Sequence, residues 1–211
     1  MGKVKVKICG VTNWTDARRA VREGADFLGF NFYARSPRYI APAKARRIVR
    51  RLPKRIHTVG VFVNESERRM VQTARAAMLD YVQLHGDETP AAIGRLKKSL
   101  PGVGIIKAVR VREPFRAAQL APFKLAAALL LDGYDHRLRG GTGKRIDWAA
   151  ARRAKSYGRI FLAGGLTPEN IGAAIRAAKP YAVDVCSGVE SRPGKKDPAR
   201  LKALLRAAKG A

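Results

Sequence analysis

The residue best placed for chemistry is a lone acid. Residues 129–148 read LLLDGYDHRLRGGTGKRIDW: an apolar run ends in Asp132, and Gly140, Gly141 and Gly143 follow within a long loop. An apolar run of that length, bounded by a turn, reads as a buried strand. A carboxylate at its end, ahead of glycine-rich chain, can act as an acid beneath a closing loop. A turn- or helix-capping aspartate is the plainer alternative. The other apolar runs tip the balance, because several end in reactive or small residues. One ends in Cys9-Gly10, one leads to Ser36-Pro37-Arg38, and one closes as Gln83-Leu84-His85-Gly86. Another ends in Gly164-Gly165, and the last runs through Asp184-Val185-Cys186-Ser187-Gly188. An acid, a thiol, a guanidinium and two small-residue turns are the parts of an acid–base site for an anionic substrate.

The two turns have a chemistry of their own. AGGLTPEN, residues 163–170, sets bare backbone N–H groups just ahead of a helical stretch, and residues 186–189 do the same after the last run. Backbone amides and helix N-termini attract phosphate. The partner expected from Gly164, Gly165, Ser187 and Gly188 is therefore a phosphorylated small molecule.

Groups scattered this widely meet only if the element ends converge. Strand-like runs at residues 4–9, 27–32, 58–63, 81–84, 104–109, 126–131, 159–163 and 182–185 alternate with helical patterns. The helical patterns lie at 15–23, 42–52, 66–78, 90–99, 115–120, 147–154, 168–178 and 198–208. Eight strand–helix units imply parallel strands joined by crossover helices. An open doubly wound sheet and a closed barrel both satisfy that pattern. Eight near-equal units with no sheet-reversal point favour an α/β fold of the (β/α)8 TIM barrel type, whose chemistry gathers at the strands' C-terminal ends. No linker-like or low-complexity segment interrupts the chain, so one domain over residues 1–211 is expected.

Composition narrows the partners. At 211 residues with 46% hydrophobic side chains, the chain can bury a full core and does not read as disordered. No apolar run reaches the ~18 residues of a membrane span, and MGKVKVKICG lacks the apolar stretch of a signal peptide. Two cysteines make no disulfide framework, so a reduced, cytoplasmic protein is expected. Neither GxGxxG nor GxxxxGK[ST] occurs, and no His, Cys and acid cluster has metal-ligand spacing, so no cofactor and no metal are expected. The formal charge of +27 favours anionic partners. In the densest basic patch, however, Ala45, Ile48, Val49 and Leu52 keep helical spacing while Lys44, Arg46, Arg47, Arg50 and Arg51 fall mostly on other faces. A solvated outer helix face fits that pattern, and no aromatic residues interleave with it, so no specific nucleic-acid partner is expected.

Taken together, KICGVT, GFNFYARSPRYI, VGVFVN, VQLHGDE, LLLDG with GGTGKRIDW, LAGGLTPENI and VDVCSGVE with PGKKD resemble the phosphoribosylanthranilate isomerase family. The resemblance runs in order along nearly the whole chain. It implies a (β/α)8 barrel and a cofactor-free Amadori rearrangement of N-(5-phosphoribosyl)anthranilate in tryptophan biosynthesis. Cys9 would be the general base and Asp132 the general acid, with Arg38 paired to the anthranilate carboxylate. Asp184 matches a substrate-contacting position near a sugar hydroxyl, with a structural role as the alternative. His85 either lies near the aromatic ring or satisfies a buried turn. Gly143 would join Gly164, Gly165, Ser187 and Gly188 around the phosphate, and residues 140–143 would form a hinge or lid.

Elementary acid–base physics suits those roles. A thiol is a base only as thiolate, and positive charge lowers its pKa. An aspartate acting as acid must hold its proton, which burial or nearby negative charge favours. Two groups driven in opposite directions make an acid–base pair. Two departures stand out: Cys186 occupies a position where serine is commoner, and Ile146 one where phenylalanine is frequent. In a closed barrel the first and eighth strands adjoin, so Cys186 would lie beside Cys9, and oxidation could link them. The nearest rivals are other sugar-phosphate barrel enzymes, including the histidine-pathway isomerase, which typically has an aspartate in place of Cys9. A basic nucleic-acid binder would show salt-sensitive binding and no turnover. Either a monomer or a homodimer fits the sequence.

Overall fold

Eight short parallel strands pair in chain order and close on themselves in the computed structural model, which describes residues 3–111, 114–133 and 148–211. The strands are β1 (Lys5–Ile8), β2 (Phe27–Asn31), β3 (His57–Phe62), β4 (Tyr81–Leu84), β5 (Gly104–Arg110), β6 (Ala128–Asp132), β7 (Ile160–Ala163) and β8 (Ala182–Val185). Closure comes from β1 and β8, which run in register from Lys5 opposite Ala182 to Ile8 opposite Val185. The (β/α)8 barrel expected from the alternating pattern is the fold, and the open-sheet alternative is excluded.

Helices α1 (Trp14–Arg22), α2 (Pro42–Val49), α3 (Glu67–Ala77), α4 (Pro90–Ser99), α5 (Trp148–Arg153), α6 (Ile171–Ala178) and α7 (Pro198–Lys209) cover the outside. Their starts are legible chemistry: Asn13, Ser66 and Asp197 each accept a backbone N–H in the first turn, and proline opens α2, α4 and α7. Among the described residues, no helix is long and apolar enough to cross a membrane.

Two connections differ from expectation. Between β5 and β6 the chain forms a 3-10 helix at Ala117–Phe123 instead of an α-helix over 115–120. Pro122 sits inside it and has no N–H to continue an α-helical ladder, while Leu120 anchors the turn in the core. After β8 the chain does not go straight to a helix. A 3-10 turn (Ser187–Val189) leads into a hairpin of β9 (Glu190–Arg192) and β10 (Lys195–Lys196), and only then does α7 begin.

Side chains alternate between two environments along each strand. One set, including Ile8, Leu28, Phe30, Leu129 and Leu131, packs outward under the helices. The other fills the barrel, with Phe27, Val59, Ile106, Ala128, Leu130, Phe161 and Ala182 at its heart. Towards the strands' N-terminal ends the filling is aromatic. Phe27 meets Phe161 at 5.3 Å and Tyr81 at 5.8 Å between ring centroids, and Tyr181 closes on Phe161 at 5.7 Å. Towards the C-terminal ends the same inward positions turn polar: Lys7, Gln83 and Asp184, and beyond them Cys9, His85, Asp132 and Cys186.

Candidate active site

Cys9 continues the inward face of β1, two residues beyond Lys7. Its N–H donates to the Val185 carbonyl at 2.8 Å, which extends the β1–β8 ladder and sets Cys186 beside it. Both cysteines are free, and the neighbourhood expected from barrel closure is present. The Cys9 thiol is held well below its usual range, first by a hydrogen bond from Cys186 and then, against burial, by the positive charges of Lys7 and Lys196. Cys186 is pushed well above, by that same hydrogen bond and by burial. Both directions favour thiolate on Cys9 and thiol on Cys186, whose Sγ also donates towards Glu190 Oε1 at 3.9 Å.

The hairpin after β8 contributes a second layer. Lys196 on β10 is buried and donates to the carbonyl of Cys9, to that of Cys186 at 3.3 Å, and to Glu190 Oε1 at 3.0 Å. Arg38 grips Glu190 through Nε at 3.0 Å to each oxygen and through Nη2 at 2.6 Å. Burial works to raise Glu190, but Arg38 and Lys196 outweigh it and hold the carboxyl below its usual range. Arg38 thus stands at the mouth with one edge of its fork committed to a protein carboxylate. Among the described residues, its Nη1 has no hydrogen-bond partner.

Asp184 on β8 faces Lys7. Oδ2 accepts from Nζ at 2.8 Å, and Oδ1 is buried with no hydrogen-bond partner among the described residues. Burial pushes this carboxyl up to about 6, against the pull of Lys7 and with the help of negative charge on Cys9. Lys7 is fully buried and also donates to Gln83 Oε1 at 2.8 Å, while its charge acts on the neighbouring Cys9. Burial acts to lower the Lys7 ammonium, yet Asp184 and Cys9 outweigh it and raise it. From Gln83 the contacts continue across the barrel. Its Nε2 lies 2.9 Å from His85 Nδ1, and His85 Nε2 lies 3.3 Å from Asp132 Oδ2 at the end of β6. His85 thus lies between Gln83 and Asp132.

The two glycine turns come together as well. Gly164 and Gly165 take left-handed φ angles of 93° and 64°, where a β-carbon would strain the backbone. Asn170 staples that turn, its Oδ1 accepting from Thr167 N at 2.9 Å and its Nδ2 donating to the Gly165 carbonyl at 2.9 Å. The turn after β8 packs directly on it, since a β-carbon at Gly188 would run into the carbonyl of Leu166. Gly164, Gly165, Ser187 and Gly188 therefore share one corner of the mouth. Gly143 and residues 140–143 lie outside the described residues.

Sequence reasoning missed Lys7, Gln83, Glu190 and Lys196. A signal existed for the first two. Side chains two apart on a strand share a face, so the residues two before Cys9 and His85 had to point into the same barrel.

Three comparisons bear on this arrangement. Residues 6–207 match the profile of the N-(5'-phosphoribosyl)anthranilate (PRA) isomerase family. The chain is 49% identical over 205 residues to the N-(5'-phosphoribosyl)anthranilate isomerase of Citrifermentans bemidjiense, covering 97% of each chain. It superposes with a TM-score of 0.90 on the phosphoribosyl anthranilate isomerase of Thermotoga maritima, at 41% identity over 99% of this chain and 100% of that one. A further phosphoribosyl anthranilate isomerase structure, in complex with reduced 1-(o-carboxyphenylamino)-1-deoxyribulose 5-phosphate, gives a TM-score of 0.87 at 39% identity, over 99% of this chain and 100% of that one.

Proposed function

The chain belongs to the N-(5'-phosphoribosyl)anthranilate isomerase family, and on that premise we propose that Cys9 and Asp132 carry its reaction. The protein is an aldose–ketose isomerase of tryptophan biosynthesis. It rearranges N-(5-phosphoribosyl)anthranilate to 1-(2-carboxyphenylamino)-1-deoxyribulose 5-phosphate. Asp132 gives its proton to the furanose ring oxygen as the C1–O bond breaks, and the anthranilate nitrogen takes up the electron deficiency as a Schiff base. The Cys9 thiolate then removes the proton from C2. The resulting enolamine tautomerises to the ketone, and the protons return to solvent and acid, so both groups end as they began.

The observation that carries this reading is that base and acid are the two ends of one run of contacts across the barrel mouth. It goes from Cys9 through Lys7, Gln83 and His85 to Asp132. A thiol among cations is available as thiolate at neutral pH. Asp184 offers its unpartnered Oδ1 to a sugar hydroxyl. Arg38 keeps Nη1 for the anthranilate carboxylate, and the grip of its other edge on Glu190 is the same fork-to-carboxylate geometry. The N–H groups around Gly164, Gly165, Ser187 and Gly188 take the phosphate. The assembly is a monomer or a homodimer, and sedimentation at assay concentration separates the two.

The test of the reaction follows the loss of phosphoribosylanthranilate fluorescence, with the labile substrate generated in place. Turnover by the parent and a fall of about a hundredfold or more in folded Cys9→Ser and Asp132→Asn are expected, the usual scale for a lost general acid or base. A variant that keeps turnover displaces its residue from the role, and a folded but silent parent removes the reaction.

A further inference from the structure

Lys7 and Gln83 touch no substrate in the mechanism above, yet they decide where one proton sits. A lysine ammonium has three donors and no acceptor. The Gln83 atom 2.8 Å from Lys7 Nζ must therefore be the amide oxygen. The amide nitrogen is then the atom 2.9 Å from His85 Nδ1. An amide nitrogen only donates, so Nδ1 must accept and carries no proton. The ring proton of His85 is left on Nε2, the nitrogen that lies 3.3 Å from Asp132 Oδ2.

We infer that Lys7, acting through Gln83, is the positioning residue that locks His85 as the neutral Nε2–H tautomer and so aims a fixed hydrogen-bond donor at the general acid. The inference deepens the proposed function and rests on Asp132 being that acid. Three alternatives show why the tautomer matters. With the proton on Nδ1, the ring would turn a lone pair towards Asp132 and compete with the substrate's ring oxygen for the acidic proton. As an imidazolium, His85 would hold Asp132 as carboxylate and disarm it, and its Nδ1–H would collide with the Gln83 N–H. The neutral Nε2–H form serves both states of the acid. It donates to the carbonyl oxygen of the protonated carboxyl, and it already faces the charge that appears when the proton leaves. A donor in place before charge develops needs no reorganisation in the transition state.

The same ammonium also reaches the other half of the reaction. Lys7 also donates to Asp184 Oδ2, 2.8 Å away, and its charge acts on the Cys9 thiol beside it. One buried cation thus stabilises the base directly and sets the acid's partner through the dipole of an amide.

Nitrogen NMR of 15N-histidine-labelled protein, with His85→Asn to identify the signals, reads the tautomer without substrate. The parent is expected to show His85 protonated on Nε2 alone. Gln83→Glu keeps the volume and the acceptor for Lys7 but replaces the N–H donor with a second acceptor. His85 should then carry a proton on Nδ1, and kcat should fall by at least about tenfold, as on losing a preorganised donor. Lys7→Met should free the amide to turn and give a mixture of tautomers; if that variant does not fold, Gln83→Glu carries the test alone. An Nδ1–H tautomer in the parent, or a Gln83→Glu variant with an unchanged spectrum, overturns the inference. So does a changed spectrum with unchanged kcat. A parent with the expected tautomer and no turnover would sink the proposed reaction instead, which keeps the two failures distinct.

Discussion

The two ends of this barrel are made by the same eight strands and obey different rules. At the floor, Phe27, Tyr81, Phe161 and Tyr181 meet edge to face or tilted, with ring centroids 5.3 to 5.8 Å apart. What matters there is volume, and any apolar group that fills the space serves. At the mouth, Lys7, Asp184, Glu190, Lys196 and Gln83 are as deeply buried as the rings, but each is defined by its partner. A buried ion pair adds little net stability, yet loss of one member strands the other at several kcal/mol. The floor is thus a store of stability that is tolerant of chemistry. The mouth is an arrangement of charge that is tolerant of almost nothing.

The sharpest way to break that contrast sets Cys9→Ser and Asp132→Asn against Phe161→Ala. The mouth variants should lose about a hundredfold or more in kcat, with urea midpoints close to the parent's. Phe161→Ala should lower unfolding free energy by about 3–5 kcal/mol, the usual result of emptying an aromatic site. The kcat of its folded fraction should stay near the parent's. Urea unfolding and active-site-normalised kinetics on the same samples decide it. A large loss of kcat in folded Phe161→Ala would mean that the floor also positions the chemistry.

The same contrast explains what could be read from the sequence. Apolar runs ending in glycine, acid or thiol gave away strands and barrel, because burial forces a periodicity on both elements, and they marked the strand ends where the candidate residues lie. Lys7 stayed hidden because KVKVKI alternates charge with β-branched residues, which reads as a half-solvated strand with its lysines outside. Only closure of the barrel turns that polar face inward, where Asp184 and Gln83 receive it. Glu190 and Lys196 sit in VESRPGKK, a charge-rich stretch that reads as exposed loop, and Glu190 pairs both with Lys196 and with Arg38, which lies 152 residues away from it. Residues 115–120 read as a helix, but the chain there forms a 3-10 turn over Ala117–Phe123, where Pro122 lacks the N–H of an α-helical ladder. Contacts made across the barrel leave no local pattern, so the mouth's second layer was the least legible part.

A milder probe of the mouth is pH. The Asp184 carboxyl is raised from 3.8 to about 6, so the folded protein binds this proton more tightly than the unfolded chain does. Its contribution favours folding fully below pH 3.8 and is lost as pH climbs through about 6. Lys7 and Cys9 from β1 and His85 from β4 are the charged or titratable groups facing it. Compared with Asp184→Asn, the parent should therefore lose unfolding free energy between about pH 4 and pH 6, with a slope of at most about 1.4 kcal/mol per pH unit for one proton. Urea titrations of both proteins across that window measure the slope. A flat difference would mean that Lys7 outweighs burial and that the pair titrates as an ordinary ion pair.

The smallest expected effect separates shape from charge within the mouth itself. The hydrogen bond from Cys186 leads the causes that hold the Cys9 thiol down, although the same Sγ also lies 3.9 Å from Glu190 Oε1. Cys186→Ala removes the donor and little volume, so the Cys9 thiol should rise and the acidic limb of kcat/KM should move to higher pH. Cys186→Ser restores an O–H of similar reach and should return the limb towards the parent's position. Alkylation of Cys9 by iodoacetamide against pH, read by mass at that residue, follows the same ionisation without substrate. If alanine and serine behave alike in both measurements, Cys186 contributes only volume, and at that position the mouth follows the rule of the floor.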